Sequence, residues 1–128
     1  MAKYLHPNVL DGGPLLIKTS AQRVALVKAF AVGNSYATVT GNIVAAAATT
    51  SADFTLANQG GNGRKITSAT KSPTASASST SGDDLHFALL DDTNNLVLAV
   101  TDETSNQVIT SGNTVNIPAL TFNFNQPV

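Results

Sequence analysis

Between Leu85 and Val100 the sequence runs twice with a period of two. Leu85, Phe87 and Leu89 take alternate positions, Asp91-Asp92-Thr93-Asn94-Asn95 intervenes, and Leu96, Leu98 and Val100 resume the pattern. This period sends successive side chains to opposite faces of a sheet. An Asp/Asn/Thr cluster supplies a turn, because these short polar side chains bond their own backbone. The segment therefore predicts a β-hairpin with one apolar face formed by Leu85, Phe87, Leu89, Leu96, Leu98 and Val100. An apolar sheet face has to be covered by another layer, so the rest of the chain is expected to provide one.

The same alternation runs through Val24, Leu26 and Lys28, and again through Ser35-Tyr36-Ala37-Thr38-Val39-Thr40. It predicts two strands joined around Gly33-Asn34, both residues tolerant of positive φ. Ile43 to Ala48 is apolar but small and reads as strand or irregular. Asp53-Phe54-Thr55-Leu56 leads into the loop Asn58-Gln59-Gly60-Gly61-Asn62-Gly63, which Arg64-Lys65-Ile66-Thr67 leaves as a strand. From Ser68 to Ser81, Thr74, Ser76 and Ser78 alternate with Ala75 and Ala77, so a polar strand with a thin inner face is preferred to a flexible linker. Gln107 to Thr110 and Thr114 to Asn125 flank the turn Ser111-Gly112-Asn113 and predict another hairpin. Pro118 restricts its second strand to an edge, a bulge or a start beyond the proline, and Phe122 and Phe124 share a face. Turn signals recur every ~8 to 12 residues, the spacing of a sandwich or barrel.

Helical periodicity is confined to Pro7 through Lys18, where Val9, Leu10, Leu15, Leu16 and Ile17 are apolar and Asp11 suits the positive end of a helix dipole. Gly12-Gly13-Pro14 opposes a continuous helix, so a short helix broken or kinked near Pro14 is expected. The fold class is all-β: an antiparallel β-sandwich of about seven to eight strands with a short N-terminal helix or arm. Residues 1–21 form the arm and 22–128 the sandwich, in a single domain of 128 residues.

Composition excludes several classes of function. With no cysteine, thiolate metal sites, disulfides and Cys nucleophiles are ruled out. Charged residues make up 12% of the chain, about half the ~25% usual for soluble domains. Ser, Thr and Asn together account for roughly three residues in ten. A net charge of −1 argues against nucleic acid as a partner, since phosphate binding relies on Lys and Arg. No window approaches the ~20 apolar residues of a membrane span, and MAKYLHPNVLDGGP lacks the apolar core of a secretory signal. The chain is expected to begin near Met1 in its mature form.

The groups that carry chemistry are few. His6 and His86 are eighty positions apart and show no metal-ligand spacing. Asp83-Asp84, Asp91-Asp92 and Asp102-Glu103 offer hard oxygens to calcium, but they fall at strand ends without the spaced D-x-D-x-D-G pattern, and turn capping is the preferred role. Gly60-Gly61-Asn62-Gly63-Arg64-Lys65 lacks the Ser or Thr after Lys and the helix start of a phosphate loop. No G-x-S-x-G supports a serine nucleophile. Neither a catalytic residue, a cofactor nor a metal is expected.

Several segments in order resemble a known family. They are Tyr4-Leu5 with Val9-Leu10-Asp11, Ile17-Lys18-Thr19 with Arg23-Val24, Ser51-Ala52-Asp53-Phe54-Thr55, and Gly63-Arg64-Lys65-Ile66-Thr67. Leu85-His86-Phe87-Ala88-Leu89, Leu98-Ala99-Val100-Thr101 and Thr110-Ser111-Gly112-Asn113-Thr114-Val115-Asn116-Ile117-Pro118-Ala119 follow. In this order and spacing the chain resembles small virion structural proteins of tailed bacteriophages, similar to capsid decoration (cement) proteins. Gly12-Gly13-Pro14 departs from the helix formers expected there. The resemblance implies a non-enzymatic β-sandwich on the capsid surface, bound to the major capsid protein and to copies of itself, with a trimer as the symmetric option. The apolar arm then supplies the contact residues, Tyr4, Leu5, Val9, Leu10, Leu15 and Ile17. Arg64 and Lys65 would add salt-sensitive contacts. A tail-tube, head-completion or fibre-base protein is the alternative, and a carbohydrate-binding module on the particle is disfavoured by the absence of Trp.

Overall fold

A computed structural model describes residues 4–5, 13–58 and 64–124. In chain order the elements are β1 (Tyr4–Leu5), α1 (Pro14–Ser20), β2 (Arg23–Val27), α2 (Tyr36–Gly41), β3 (Ile43–Ala48), a 3-10 turn (Ser51–Asp53), β4 (Phe54–Asn58), β5 (Arg64–Ser68), β6 (His86–Asp91), β7 (Leu96–Asp102) and β8 (Thr121–Phe124). Two antiparallel sheets result, one of five strands in the order β1-β7-β6-β2-β3 and one of three in the order β4-β5-β8. The fold is all-β and sandwich-like.

The main core lies between the sheets. Val24, Leu26, Phe87, Leu89 and Leu98 of the large sheet face Phe54 and Ile66 of the small one, with Phe122 and Phe124 packed alongside. A second cluster, Ala25, Val27, Val39, Ala88, Leu90, Val97 and Val100, covers the opposite face of the large sheet beneath Phe30, Tyr36 and Ile43. The central strands are therefore buried on both faces, and every residue of β6 is buried. Alanine at positions 25 and 88 keeps that outer face low enough for α2 to pack closely on it.

The element at 36–41 corrects the expected strand over Ser35 to Thr40. Tyr36 and Val39 are separated by i, i+3, so a single helical turn sends both towards the sheet. The Ser35 Oγ caps that turn by accepting from the Thr38 N–H at 3.2 Å. β-Branched residues lower the helix propensity of Tyr36 to Gly41, and burial of the sheet face overrides this preference.

Pro14 occupies the first helical position of α1, where its missing N–H is not needed. Gly13, at φ 66, supplies the left-handed entry that a residue with Cβ resists. The expected positions Pro7 to Asp11 lie outside the described residues. Ile43–Ala48 is a strand, pairing with β2 through Val27↔Ile43 and Arg23↔Ala48.

The Ser68 to Ser81 segment and the stretch from Gln107 to Pro118 run side by side without forming regular strands. Only Lys71↔Ile117 and Thr74↔Thr114 are bridges. Pro73 and Pro118 have no N–H to donate, and serine hydroxyls take over part of the ladder. Ser79 Oγ accepts from the Ile109 N–H at 2.9 Å, and Ser68 Oγ from the Leu120 N–H at 2.9 Å. The last strand begins after Pro118, at Thr121.

The hairpin β6–β7 contains one irregularity with large consequences. Asp91↔Leu96 and Leu90↔Val97 pair in one register, while Leu89↔Ala99 and His86↔Asp102 pair in a register one residue longer. The β-bulge at Leu98 reverses the facing of everything beyond it. Leu98 and Ala99 both enter the main core. Val100, expected on the same face as Leu98, joins the second cluster on the opposite face.

Candidate functional site

The bulge also turns Asp102 to the outer face of the large sheet, directly opposite His86. Asp84 lies two residues ahead of His86, just before β6 begins. One ligand atom each from Asp84, His86 and Asp102 lies within 4.8 Å of the other two. His86 is only 1% exposed, and its ring packs against Phe30 with centroids 5.8 Å apart and planes tilted by 55°. Its Nδ1 lies 3.0 Å from the backbone carbonyl of Asp84. Its Nε2 lies 3.6 Å from Asp102 Oδ1, and both of these atoms are buried without a hydrogen-bond partner.

Three of the other four paired acids cap turns, as expected. Asp91 Oδ1 accepts from the N–H groups of Thr93 and Asn94 at 3.1 Å each. Asp83 accepts from the Thr80 N–H at 2.8 Å, and Glu103 Oε1 from the N–H and hydroxyl of Ser105 at 2.8 and 2.6 Å. Asp92 instead pairs with Arg23. Asp84 and Asp102 do not share this capping role, and they lie beside His86, where sequence spacing alone placed no group of carboxylates. All seven Lys and Arg residues precede Ser72, while six of the eight acids follow it, so the sequence around His86 is rich in carboxylate and lacks basic side chains.

A cleft of about 690 Å³ opens beside the end of β7, lined by Lys71, Phe87, Thr101, Asp102, Glu103 and Asn116 among others. Glu103 Oε2 is buried without a partner. Lys71 is engaged by Asp53 at 3.0 Å. The Thr50 N–H and the Lys71 ammonium hold the Asp53 carboxyl below its ordinary range.

The residues expected to make surface contacts are distributed differently. Ile17 is fully buried in the main core. It anchors α1 to its own domain and is unavailable to a neighbour, because the helix turns this side chain inward while Leu15 stays 57% exposed. Tyr4 and Leu5 form an edge strand, pairing with Val100 and Ala99 of β7, so the backbone of the expected arm is committed to the chain's own sheet at this point. Val9 and Leu10 lie outside the described residues. Arg64 and Lys65 occupy successive positions of β5 and so project to opposite faces of the small sheet. They do not form one basic patch.

No helix of the described residues is long and apolar enough to cross a membrane. Comparison of the chain with protein-family models, with curated proteins and with solved structures finds no match.

Proposed function

We propose that the chain is a non-enzymatic structural protein of a tailed-phage particle, a capsid decoration protein that binds the assembled shell of major capsid protein and stabilises it. Besides the segment resemblance, the carrying observation is the two-sided helix α1. Ile17 is buried on one side and Leu15 is exposed on the other. Lys18 Nζ donates to the carbonyls of Ser51 and Phe54 at 2.8 and 2.7 Å, fastening the helix to the body. An apolar side chain presented on a fixed helix loses little conformational freedom on binding, which favours contact with a neighbour. Val32 and Val108, 66% and 60% exposed, are further exposed apolar side chains on a chain poor in charge. A protein that binds only the assembled shell adds its association free energy to that state.

The test is occupancy of shells that lack the protein. Full-length protein is expected to saturate them at many copies per particle, and Leu15→Asp to lose occupancy while keeping its fold by circular dichroism. Saturation at a dozen copies or fewer would place the protein at a connector or tail position. Failure of the full-length protein to bind particles at all would overturn the reading.

A further inference from the structure

The Asp84 carbonyl can only accept a hydrogen bond, so His86 Nδ1, 3.0 Å away, carries the proton. In the neutral ring Nε2 then bears a lone pair, and that lone pair meets Asp102 Oδ1 at 3.6 Å. Both atoms are buried acceptors with no hydrogen-bond partner. Two acceptors facing each other away from water are unfavourable unless a cation lies between them. No Lys or Arg among the described residues forms an ion pair with Asp84 or Asp102.

The spacing fits a metal ion. With zinc–nitrogen and zinc–oxygen distances of about 2.0 to 2.2 Å, adjacent ligand atoms of a tetrahedral site lie about 3.4 Å apart. His86 Nε2 and Asp102 Oδ1 are already close to that separation. Asp84 is exposed, so its carboxylate is free to swing the short remaining distance and also provides the path of entry. A ring N–H held by a backbone carbonyl is the arrangement that orients a metal-binding histidine and sets its tautomer. The packed ring of Phe30 restrains the imidazole further.

We propose that Asp84, His86 and Asp102 bind one divalent first-row transition-metal ion, with zinc the best fit. Imidazole nitrogen with two carboxylate oxygens suits zinc, whereas calcium takes six to eight oxygens. The three ligands leave a coordination position open. They tie the start of β6 and the segment just ahead of it to the end of β7, so the bound ion also clamps the open end of the central hairpin.

Zinc alone, titrated into the full chain by calorimetry, is expected to bind at one equivalent, to raise the melting temperature, and to release on chelation. In wild-type protein the imidazole ¹⁵N signal of His86 Nε2 should shift on zinc addition. Asp102→Asn should weaken binding by about tenfold or more, and Asp84→Asn should weaken it as well, while His6→Gln leaves it unchanged. His86→Gln alters a buried residue and can disturb folding. The near-isosteric Asp102→Asn, with its urea midpoint measured without metal, keeps the test sound. The site is disproved if wild-type protein binds no zinc, if Asp102→Asn binds it equally well, or if Nε2 remains protonated with zinc in excess. The last result would mean that a proton, as an imidazolium–carboxylate pair, is the cation between them.

Discussion

The Tyr36 hydroxyl donates to Asp92 Oδ1 at 2.6 Å, joining α2 to the β6–β7 turn, and Arg23 Nη2 reaches the same oxygen at 3.0 Å. The bond to Asp92 and partial burial raise the phenol above its ordinary value of 10.0. A raised value in the folded state means that the contribution is whole below the unfolded value and is lost as pH climbs through the native one. Tyr36→Phe is expected to lower the unfolding free energy by about 1 kcal/mol at neutral pH, less than a fully buried bond to a charged acceptor contributes because the pair is part-exposed. It should also flatten the alkaline fall in stability. Urea melts at neutral and alkaline pH measure both effects.

Ser79 and Ser68 complete ladder positions that regular strand pairing leaves open, by accepting from the buried N–H groups of Ile109 and Leu120. Ser79→Ala or Ser68→Ala leaves each N–H without a partner and is expected to cost about 1 to 3 kcal/mol. Ser78 makes the same kind of bond to the Ser111 N–H in an exposed setting, where water can replace it. Ser78→Ala should stay within about 0.5 kcal/mol of wild type. Equal losses at all three positions, read from chemical denaturation, would contradict this role for the buried hydroxyls.

The hairpin was legible in the sequence because Leu85, Phe87 and Leu89 keep strict period two against a clear Asp/Asn turn. The convergence of His86 and Asp102 was not. Counting outward from the turn in the register of Asp91↔Leu96 places Thr101 opposite His86, and only the extra residue at Leu98 brings Asp102 there. Apolar residues continue through Leu98, Ala99 and Val100, so nothing in the pattern marks the bulge. The D-x-H spacing of Asp84 and His86 was visible, although without the register it had no third ligand. Tyr36 and Val39 fit both a strand and one helical turn, and the bare outer face of the large sheet decided between them. Ile17 and Leu15 share the period of the arm's apolar residues, and only packing separates the anchor from the exposed side chain.

Asp53 closes the 3-10 turn through the Thr50 N–H at 2.8 Å and holds Lys71 at 3.0 Å. Its value is lowered from the ordinary 3.8, first by the Thr50 backbone bond and then by Lys71. A lowered value gives a contribution that is complete above the unfolded value and disappears as pH falls through the native one. Asp53→Asn should therefore bring the acid limb of the stability profile closer to that of a chain without this contribution, with little change in its shape above neutrality. Lys71→Met removes only the second cause and should produce a smaller shift. Thermal melts from neutral pH down to the acid transition compare the two variants, and a larger effect from Lys71→Met would reverse the order of causes.

Ile17 and Leu15 separate folding from surface contact on one helix. Truncating fully buried Ile17 to Ala removes apolar contacts at the junction of α1 with the main core and is expected to cost about 2 to 5 kcal/mol. The loss should appear as a lower denaturation midpoint with an unchanged slope. Leu15→Asp changes a side chain that is 57% exposed, so its stability should remain within about 0.5 kcal/mol of wild type. Any defect it shows in particle binding then belongs to the surface. If Leu15→Asp destabilises the isolated chain as much as Ile17→Ala, Leu15 is needed for the chain's own fold, and α1 no longer offers the apolar contact on which the decoration reading relies.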